Sequence, residues 1–268
     1  MKKEGYWVIR TYESGAIGEK IKFWVPGKRP EGKSRRREKS EIRKQEQNAH
    51  HAVRTLARIL NANFKSGDIL LGLDYAEAGM QKLEERIGKL GICMEELSQE
   101  SRQAVLWDAA DHEMTLALRR AKRYAREAGT EIKAVYVTSD LDGETGMPVR
   151  VHHHVVINRE SLEFFQRAWN ELGGVDWERL WKFKQDRSAL AEYMLKQVRR
   201  IPDVKKYKCT RNMVRPVGKD RVVLNDSEIR VPKGCTLLYR QEFKRAGQPQ
   251  YIRYEIGERI ATGLRPSQ

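Results

Sequence analysis

Residues 151–157 read Val-His-His-His-Val-Val-Ile, a short apolar run that contains half of the six histidines of the chain. Runs of this length that are rich in valine and isoleucine predict a buried strand. Because side chains alternate across a strand, His152 and His154 are expected on one face and His153 on the other. Two imidazoles on one face of a rigid strand can hold one divalent metal ion, whereas His153 is expected to be a packed histidine.

A second motif, Tyr193-Met-Leu-Lys196, follows roughly 40 residues later. Residues 187–200 are predicted to be helical, so that Tyr193 and Lys196 lie one turn apart on the same face. A tyrosine hydroxyl that attacks a phosphodiester forms a covalent phosphotyrosine, and a neighbouring lysine supplies positive charge. Tyr-x-x-Lys is a weak motif alone, and it gains weight from the histidine strand before it.

The charge of the chain predicts a polyanionic partner. Its 268 residues include 52 lysines and arginines against 37 aspartates and glutamates, a net charge of +15. A basic membrane-surface protein would also need an amphipathic anchor or a lipidation signal, and the sequence has neither. It also has no apolar run long enough to span a bilayer and no signal-peptide core near its start. We therefore expect a cytoplasmic protein that does not bind membranes.

The predicted elements divide the chain into three parts. Residues 1–66 are expected to form a basic N-terminal arm and an amphipathic helix, and residues 201–268 a basic C-terminal extension. Residues 67–200 are expected to form the central domain, with a helical insertion at about 76–130. Its order of strand, long helical segment, hairpin, helix, strand and helix predicts an α+β fold, in which helices flank an antiparallel sheet.

A third metal ligand is expected from the strand beside the histidines, and carboxylates commonly take this role. Asp140, Asp142 and Glu144 are the nearest carboxylates in sequence. Asp142 and Glu144 fall in the predicted hairpin loop, whereas Asp140 lies at the end of the partner strand. Asp140 is therefore the candidate ligand, although the sequence leaves the choice open.

Two basic clusters are predicted to bind the phosphates of DNA. A solvated linker and a solubilising tail are the alternative interpretations of the two clusters. Their members are Arg35, Arg36 and Arg37 before the first helix, and Arg199, Arg200, Lys205, Lys206, Lys208, Arg211 and Arg215 after the tyrosine helix.

These motifs resemble those of the HUH endonuclease superfamily, in which two histidines flank one residue on a strand and a tyrosine lies on a later helix. Within it the arrangement is similar to that of the single-tyrosine rolling-circle replication initiators (Rep proteins) of plasmids and phages, over roughly residues 40–216. His152 and His154 match the metal-binding pair, Tyr193 the nucleophile and Lys196 the lysine of Tyr-x-x-Lys.

Two features of the sequence depart from this family. The residue between the two histidines is usually a bulky hydrophobic, and here it is His153. The family often supplies a glutamate as third ligand from the strand before the histidines, where this chain has Val-Thr-Ser-Asp at 137–140.

The resemblance implies a metal-dependent endonuclease and DNA strand transferase that uses Mg²⁺ or Mn²⁺. Such an enzyme nicks and joins single-stranded DNA or an origin hairpin through a 5′-phosphotyrosine intermediate. It thereby initiates rolling-circle replication of a plasmid, phage or integrated element, with a host helicase and polymerase as partners. Neither a helicase domain nor a nucleotide cofactor is implied by this resemblance, although residues 27–34 match the short pattern Gly-x-x-x-x-Gly-Lys-Ser.

Other classes of protein remain open at this point. A conjugative relaxase or a single-strand transposase would use the same chemistry on different DNA. A metal-dependent hydrolytic nuclease would cut without a covalent intermediate. A non-catalytic nucleic-acid-binding protein would use the histidines only for structure.

Overall fold

The computed structural model describes residues 5–27, 41–181, 185–199, 205–223, 228–241 and 250–257. Over these ranges the chain forms two antiparallel sheets and five α-helices. The α+β class that the order of elements predicts is therefore confirmed.

Strands and helices follow in three blocks: a hairpin and a helix, a central mixed region, and three terminal strands. Their bounds are β1 (Gly5–Ser14), β2 (Ile17–Pro26), α1 (Glu41–Asn63), β3 (Ile69–Asp74), α2 (Glu77–Lys89), α3 (Gln99–Glu127), β4 (Ala134–Leu141), β5 (Pro148–Ile157), α4 (Leu162–Trp169), β6 (Val175–Arg179), α5 (Ser188–Lys196), β7 (Lys208–Cys209), β8 (Lys219–Val223), β9 (Thr236–Gln241) and β10 (Gln250–Glu255). Helices α2 and α3 occupy the region that the sequence predicts to be a helical insertion.

Strand β5, which carries the three histidines, lies in the middle of the sheet β6-β3-β5-β4-β7. It pairs antiparallel with β3 along one edge and with β4 along the other. Val151, Val155 and Ile157 point to the face that α2, α3 and α4 cover, and they are buried in that core. Because β5 is hydrogen-bonded on both sides and packed on one face, the side chains on its other face are held on a rigid support.

Helix α3 has well-defined ends. Its N-cap is Ser98, whose side chain accepts a hydrogen bond from the backbone N–H of Ser101. It ends just before Gly129, whose φ of 69° places it in the left-handed region that favours glycine.

The two ends of the chain form a second unit, which consists of residues 1–62 and 214–268. Its sheet has the order β8-β1-β2-β10-β9, so the N-terminal hairpin pairs with C-terminal strands on both sides. Arg58 of α1 donates hydrogen bonds to both carboxylate oxygens of Glu19 on β2, and both side chains are buried.

The predicted division of the chain needs one correction. The sequence predicts residues 1–66 and 201–268 as two separate flanking regions, whereas the structure joins them through one sheet. Strand pairing between distant segments leaves no local signal in the sequence, which explains the difference. The central unit, Asn63–Met213, has bounds close to the predicted 67–200.

Among the helices that the structure describes, none is both long and apolar enough to cross a bilayer.

Candidate metal and nucleophile site

His152 and His154 project from the face of β5 that is opposite to the helix-covered core. Their ring centroids are 5.0 Å apart. His153 points into the core and is fully buried. This is the alternation that the sequence predicts.

Each imidazole of the pair has one nitrogen held by a hydrogen bond. Nδ1 of His152 lies 3.0 Å from the carbonyl oxygen of Arg150, which can only accept, so Nδ1 donates and Nε2 keeps its lone pair. Nε2 of His154 lies 3.0 Å from the amide oxygen of Gln197, so Nδ1 of His154 keeps its lone pair. Burial lowers the pKa of His154, which favours the neutral ring. Neutral imidazoles fixed through their second nitrogen are the form in which histidine binds metals.

Helix α5 brings Tyr193 beside this pair. The ring centroid of Tyr193 is 5.2 Å from that of His154. Leu190 and Met194 on the same helix are buried, whereas the tyrosine is 45% exposed. In the part of the chain that the structure describes, the Tyr193 hydroxyl has no hydrogen-bond partner. A ligand can therefore approach the hydroxyl from solvent.

Gln197 is a site residue that the sequence analysis missed. Its side chain lies between His154 and the loop that joins β4 to β5, where a Cβ on Gly143 would come within 3.0 Å of the glutamine Cγ. Its spacing could have identified it, because Gln197 follows Tyr193 by one helical turn and shares its face. Gln197 thus positions His154 from the same helix that carries the tyrosine.

Lys196 is exposed on α5 and lies near the same loop. Hydrogen bonds from Thr145 and Glu144 lower the pKa of Asp142 in this loop, and the charge of Lys196 lowers it further. The lysine charge is thus positioned beside the β4–β5 loop, one turn after Tyr193.

Asp140 has a different environment from the predicted one. One carboxylate oxygen accepts a hydrogen bond from Nε of Arg199 at 2.9 Å and forms an ion pair with its Nη2 at 2.7 Å. The other oxygen is buried without a partner among the described residues. The pairing of β4 with β5 shifts register between Ser139 and Leu141, which gives Asp140 a bulge position. Ser139 is the direct cross-strand neighbour of His152, so strand alternation already directs Asp140 away from the face of the pair. Asp140 is therefore the partner of Arg199, and the structure does not bring it to the histidine pair.

Asp74 is the carboxylate that the strand register puts next to the pair. It is the direct cross-strand neighbour of His152, so the two side chains share a face. Its negative charge acts to raise the pKa of His154 against the larger effect of burial. Ser139, the neighbour of His152 on the other side, has a buried hydroxyl without a partner among the described residues. The sequence analysis missed Asp74 because β3 is about 80 residues from β5 and only the register joins them.

The types of donor at this site suit a divalent cation. Two neutral imidazoles and a carboxylate are ligands that Mn²⁺ accepts, and Mg²⁺ favours the carboxylate oxygen. As they are placed, the described residues contain no group of three or more His, Cys, Asp or Glu side chains arranged to hold an ion. The donor types, rather than their present placement, fit a metal site that the exposed Asp74 would complete.

The predicted DNA-binding residues have varied environments. Arg35, Arg36, Arg37 and Arg200 lie outside the described residues. Arg199 is held by Asp140 and by Gln103, to which it donates at 2.7 Å, so it is not available as a phosphate contact. Lys208 forms an ion pair with Asp111. Lys205, Arg211 and Arg215 are exposed, and Lys206 is half-buried.

Substitution of Asp74 by asparagine tests its proposed place beside the pair. We expect the Mn²⁺ affinity, measured by calorimetry on Asp74→Asn, to fall by at least about tenfold, since even residues behind the ligands have effects of that size. Asp176 provides a matched control, because it lies on the same face one strand farther from β5, opposite Gly72. Equal affinities in Asp74→Asn and Asp176→Asn would show that Asp74 is not a ligand.

Comparison of the chain with protein-family models, with curated proteins and with solved structures gives no significant match in any of the three. The function of the chain is therefore inferred from its residues and their geometry.

Proposed function

We propose that this chain is a metal-dependent enzyme that nicks and joins single-stranded DNA through Tyr193. The observation that carries the proposal is the proximity of a solvent-accessible tyrosine to a pair of imidazoles that hydrogen bonds orient. Neither motif is specific alone. However, histidines that served only for packing would not require an exposed tyrosine beside them. The proposal includes the HUH-type arrangement of the sheet, with β5 as the histidine strand and α5 as the tyrosine helix.

His152, His154 and Asp74 would hold Mg²⁺ or Mn²⁺. A divalent ion in such a site neutralises the charge of the phosphate oxygens and makes phosphorus easier to attack. The protein contributes the orientation: Arg150 and Gln197 fix the two rings through their hydrogen bonds. The sheet holds both histidines on one support, which reduces the reorganisation that binding requires.

Tyr193 is the proposed nucleophile. Its phenolic oxygen forms a bond to phosphorus, and the bond between phosphorus and the 3′-oxygen of the preceding nucleotide breaks. The phenolic proton goes to solvent, and the departing 3′-oxygen takes up a proton. The product is a 5′-phosphotyrosine and a free 3′-hydroxyl, so the ester bond is conserved for later joining. Lys196, one turn along the helix, supplies positive charge for the phosphate.

The proposed substrate is single-stranded DNA or the loop of an origin hairpin. The net charge of +15 favours a nucleic acid. A phosphodiester must also approach Tyr193 directly, which is easiest for an unpaired strand. In the proposed role the free 3′-hydroxyl primes rolling-circle replication of a plasmid, phage or integrated element, in the cytoplasm and with a host helicase and polymerase.

The experiment that tests the proposal is a search for the covalent intermediate. The protein is incubated with Mn²⁺ and short end-labelled single strands from the origin region of its own element, and the products are separated on denaturing gels. A labelled protein–DNA band that requires Mn²⁺ is the expected result. Cleavage without this band would favour a hydrolytic nuclease, and binding without cleavage would favour a non-catalytic binding protein.

A further inference from the structure

A cleft of about 650 Å³ lies in the unit formed by the chain ends. The register of β1 and β2 puts alternate residues on one face of the sheet, among them Arg10, Tyr12 and Phe23. These residues and side chains of helix α1 line the cleft. Its size falls within the range of roughly 300–1,000 Å³ that is common for ligand sites.

The charge of this cleft favours an anionic ligand. Its described lining contains arginines and histidines but no aspartate or glutamate. Arg10 is paired with Asp220 and Arg58 with Glu19. Arg54 has no carboxylate partner among the described residues, and it donates a hydrogen bond to the neutral Gln241 at 3.1 Å.

Helix α1, which carries Arg54, also contributes exposed histidines to the cleft. His50 and His51 precede Arg54 on α1, and both side chains are exposed. Histidine and arginine side chains can donate hydrogen bonds to phosphate oxygens. The wall formed by α1 is therefore suited to a phosphate group.

Aromatic rings also line the cleft. Arg10 lies 5.3 Å from the ring centroid of Phe23, and Arg54 lies 4.1 Å from that of Tyr251, which is buried. Tyr239, which also lines the cleft, is 43% exposed. Cationic groups beside accessible aromatic faces are the combination that binds single-stranded nucleic acids, because phosphates bind the cations while bases stack on the rings.

We propose that this cleft is a second binding site for single-stranded nucleic acid. Arg54 and His51 take a phosphate, and the adjacent base stacks on Phe23 or Tyr239. A duplex would present its phosphates but not the faces of its bases, so the rings favour an unpaired strand. The proposal goes beyond the nicking function, because the cleft uses none of the residues of the histidine–tyrosine site.

The test measures equilibrium binding of the full chain to a fluorescent thymidine strand of about 12 nucleotides. The background is Tyr193→Phe in EDTA, so that neither metal nor covalent attachment contributes. The double variant Arg54→Ala/Tyr239→Ala is expected to bind at least about tenfold more weakly. Arg221→Ala is the matched control: Arg221 lies opposite Ile9 on the other face of the same sheet, and its loss is expected to change Kd less than about threefold.

Equal affinities of the double variant and Arg221→Ala would overturn the proposal. Because truncation could disturb the fold, a second variant, His51→Glu, adds a negative charge at an exposed helix position. It is expected to weaken binding at least about fivefold while the circular dichroism spectrum stays unchanged. A duplex that binds as tightly as the strand, or a free mononucleotide that competes equally well, would also overturn it.

The two proposals can fail separately. Losses of binding in the cleft variants of a protein that forms no DNA adduct would refute nicking and support the cleft. An adduct in the wild type, together with unchanged binding in the cleft variants, would refute the cleft and support nicking.

Discussion

Replacement of Tyr193 by phenylalanine is expected to reduce formation of the covalent DNA adduct by at least about a thousandfold, because the phenolic oxygen is the proposed nucleophile. DNA binding and stability should stay close to those of the wild type. The substitution removes a single oxygen, and that oxygen has no hydrogen-bond partner among the described residues. It therefore leaves no buried polar group unpaired. The ring beside His154 is retained.

The measurement is the yield of labelled protein after reaction with a single strand and Mn²⁺, separated under denaturing conditions. Tyr6→Phe is the matched control, since Tyr6 is 43% exposed, close to the 45% of Tyr193, and lies on β1 in the other unit. We expect Tyr6→Phe to react as the wild type does. A full yield of adduct in Tyr193→Phe would exclude Tyr193 as the nucleophile.

Local patterns in the sequence predict much of the central unit. The β-branched run from Val151 to Ile157 is a strand whose alternation separates His153 from its neighbours, as expected. The turn signals between β4 and β5 correctly predict an antiparallel hairpin. The helix predicted at residues 187–200 is present as α5, and it carries Tyr193 and Lys196 one turn apart as expected. Each of these features depends only on residues that are close to one another in the sequence, within one helix or one hairpin.

Features that depend on distant segments could not be predicted. Asp74 meets His152 only because β3 pairs with β5 in one register. Asp140 is held by Arg199, which is 59 residues away in the sequence, and no local signal marks that pairing. The sheet of the second unit joins β1 and β2 to β8 and β10 from the other end of the chain. The cleft in that unit forms only when these strands pair, so local patterns could not predict it.

In the HUH endonucleases, which the motifs of this chain resemble, the residue at the position of His153 is usually a bulky hydrophobic. The structure explains how an imidazole is accommodated there. Its Nε2 lies 3.0 Å from the hydroxyl of Tyr75, and its Nδ1 lies 3.2 Å from that of Thr138. The Thr138 hydroxyl donates to Asp111, so Nδ1 of a neutral ring donates to Thr138 and Nε2 accepts from Tyr75. Trp169 packs edge-on, with its ring centroid 5.3 Å from that of His153.

This environment opposes protonation of His153. Burial, reinforced by the neighbouring His152 and His154, lowers its pKa to about 3. In the unfolded chain the pKa is near its ordinary value of about 6.5, so between these values the unfolded state binds a proton that the folded state does not. The contribution to stability is fully present above pH ~6.5 and is lost as the pH falls towards ~3, by about 1.4 kcal/mol per pH unit.

His153→Leu is expected to remove this pH dependence while the chain stays folded. In the variant Tyr75 can turn its one proton to the carbonyl oxygen of Ala110, 3.3 Å away, and Thr138 keeps Asp111, so neither hydroxyl is left unpaired. The free energy of unfolding of the wild type, measured with urea in EDTA, should fall by about 2 kcal/mol more than that of the variant between about pH 7.5 and about pH 5. Parallel curves for the two proteins would mean that His153 takes up a proton in the folded state. A buried imidazolium without an acidic partner is the costlier arrangement, and we therefore expect the curves to diverge as the pH falls.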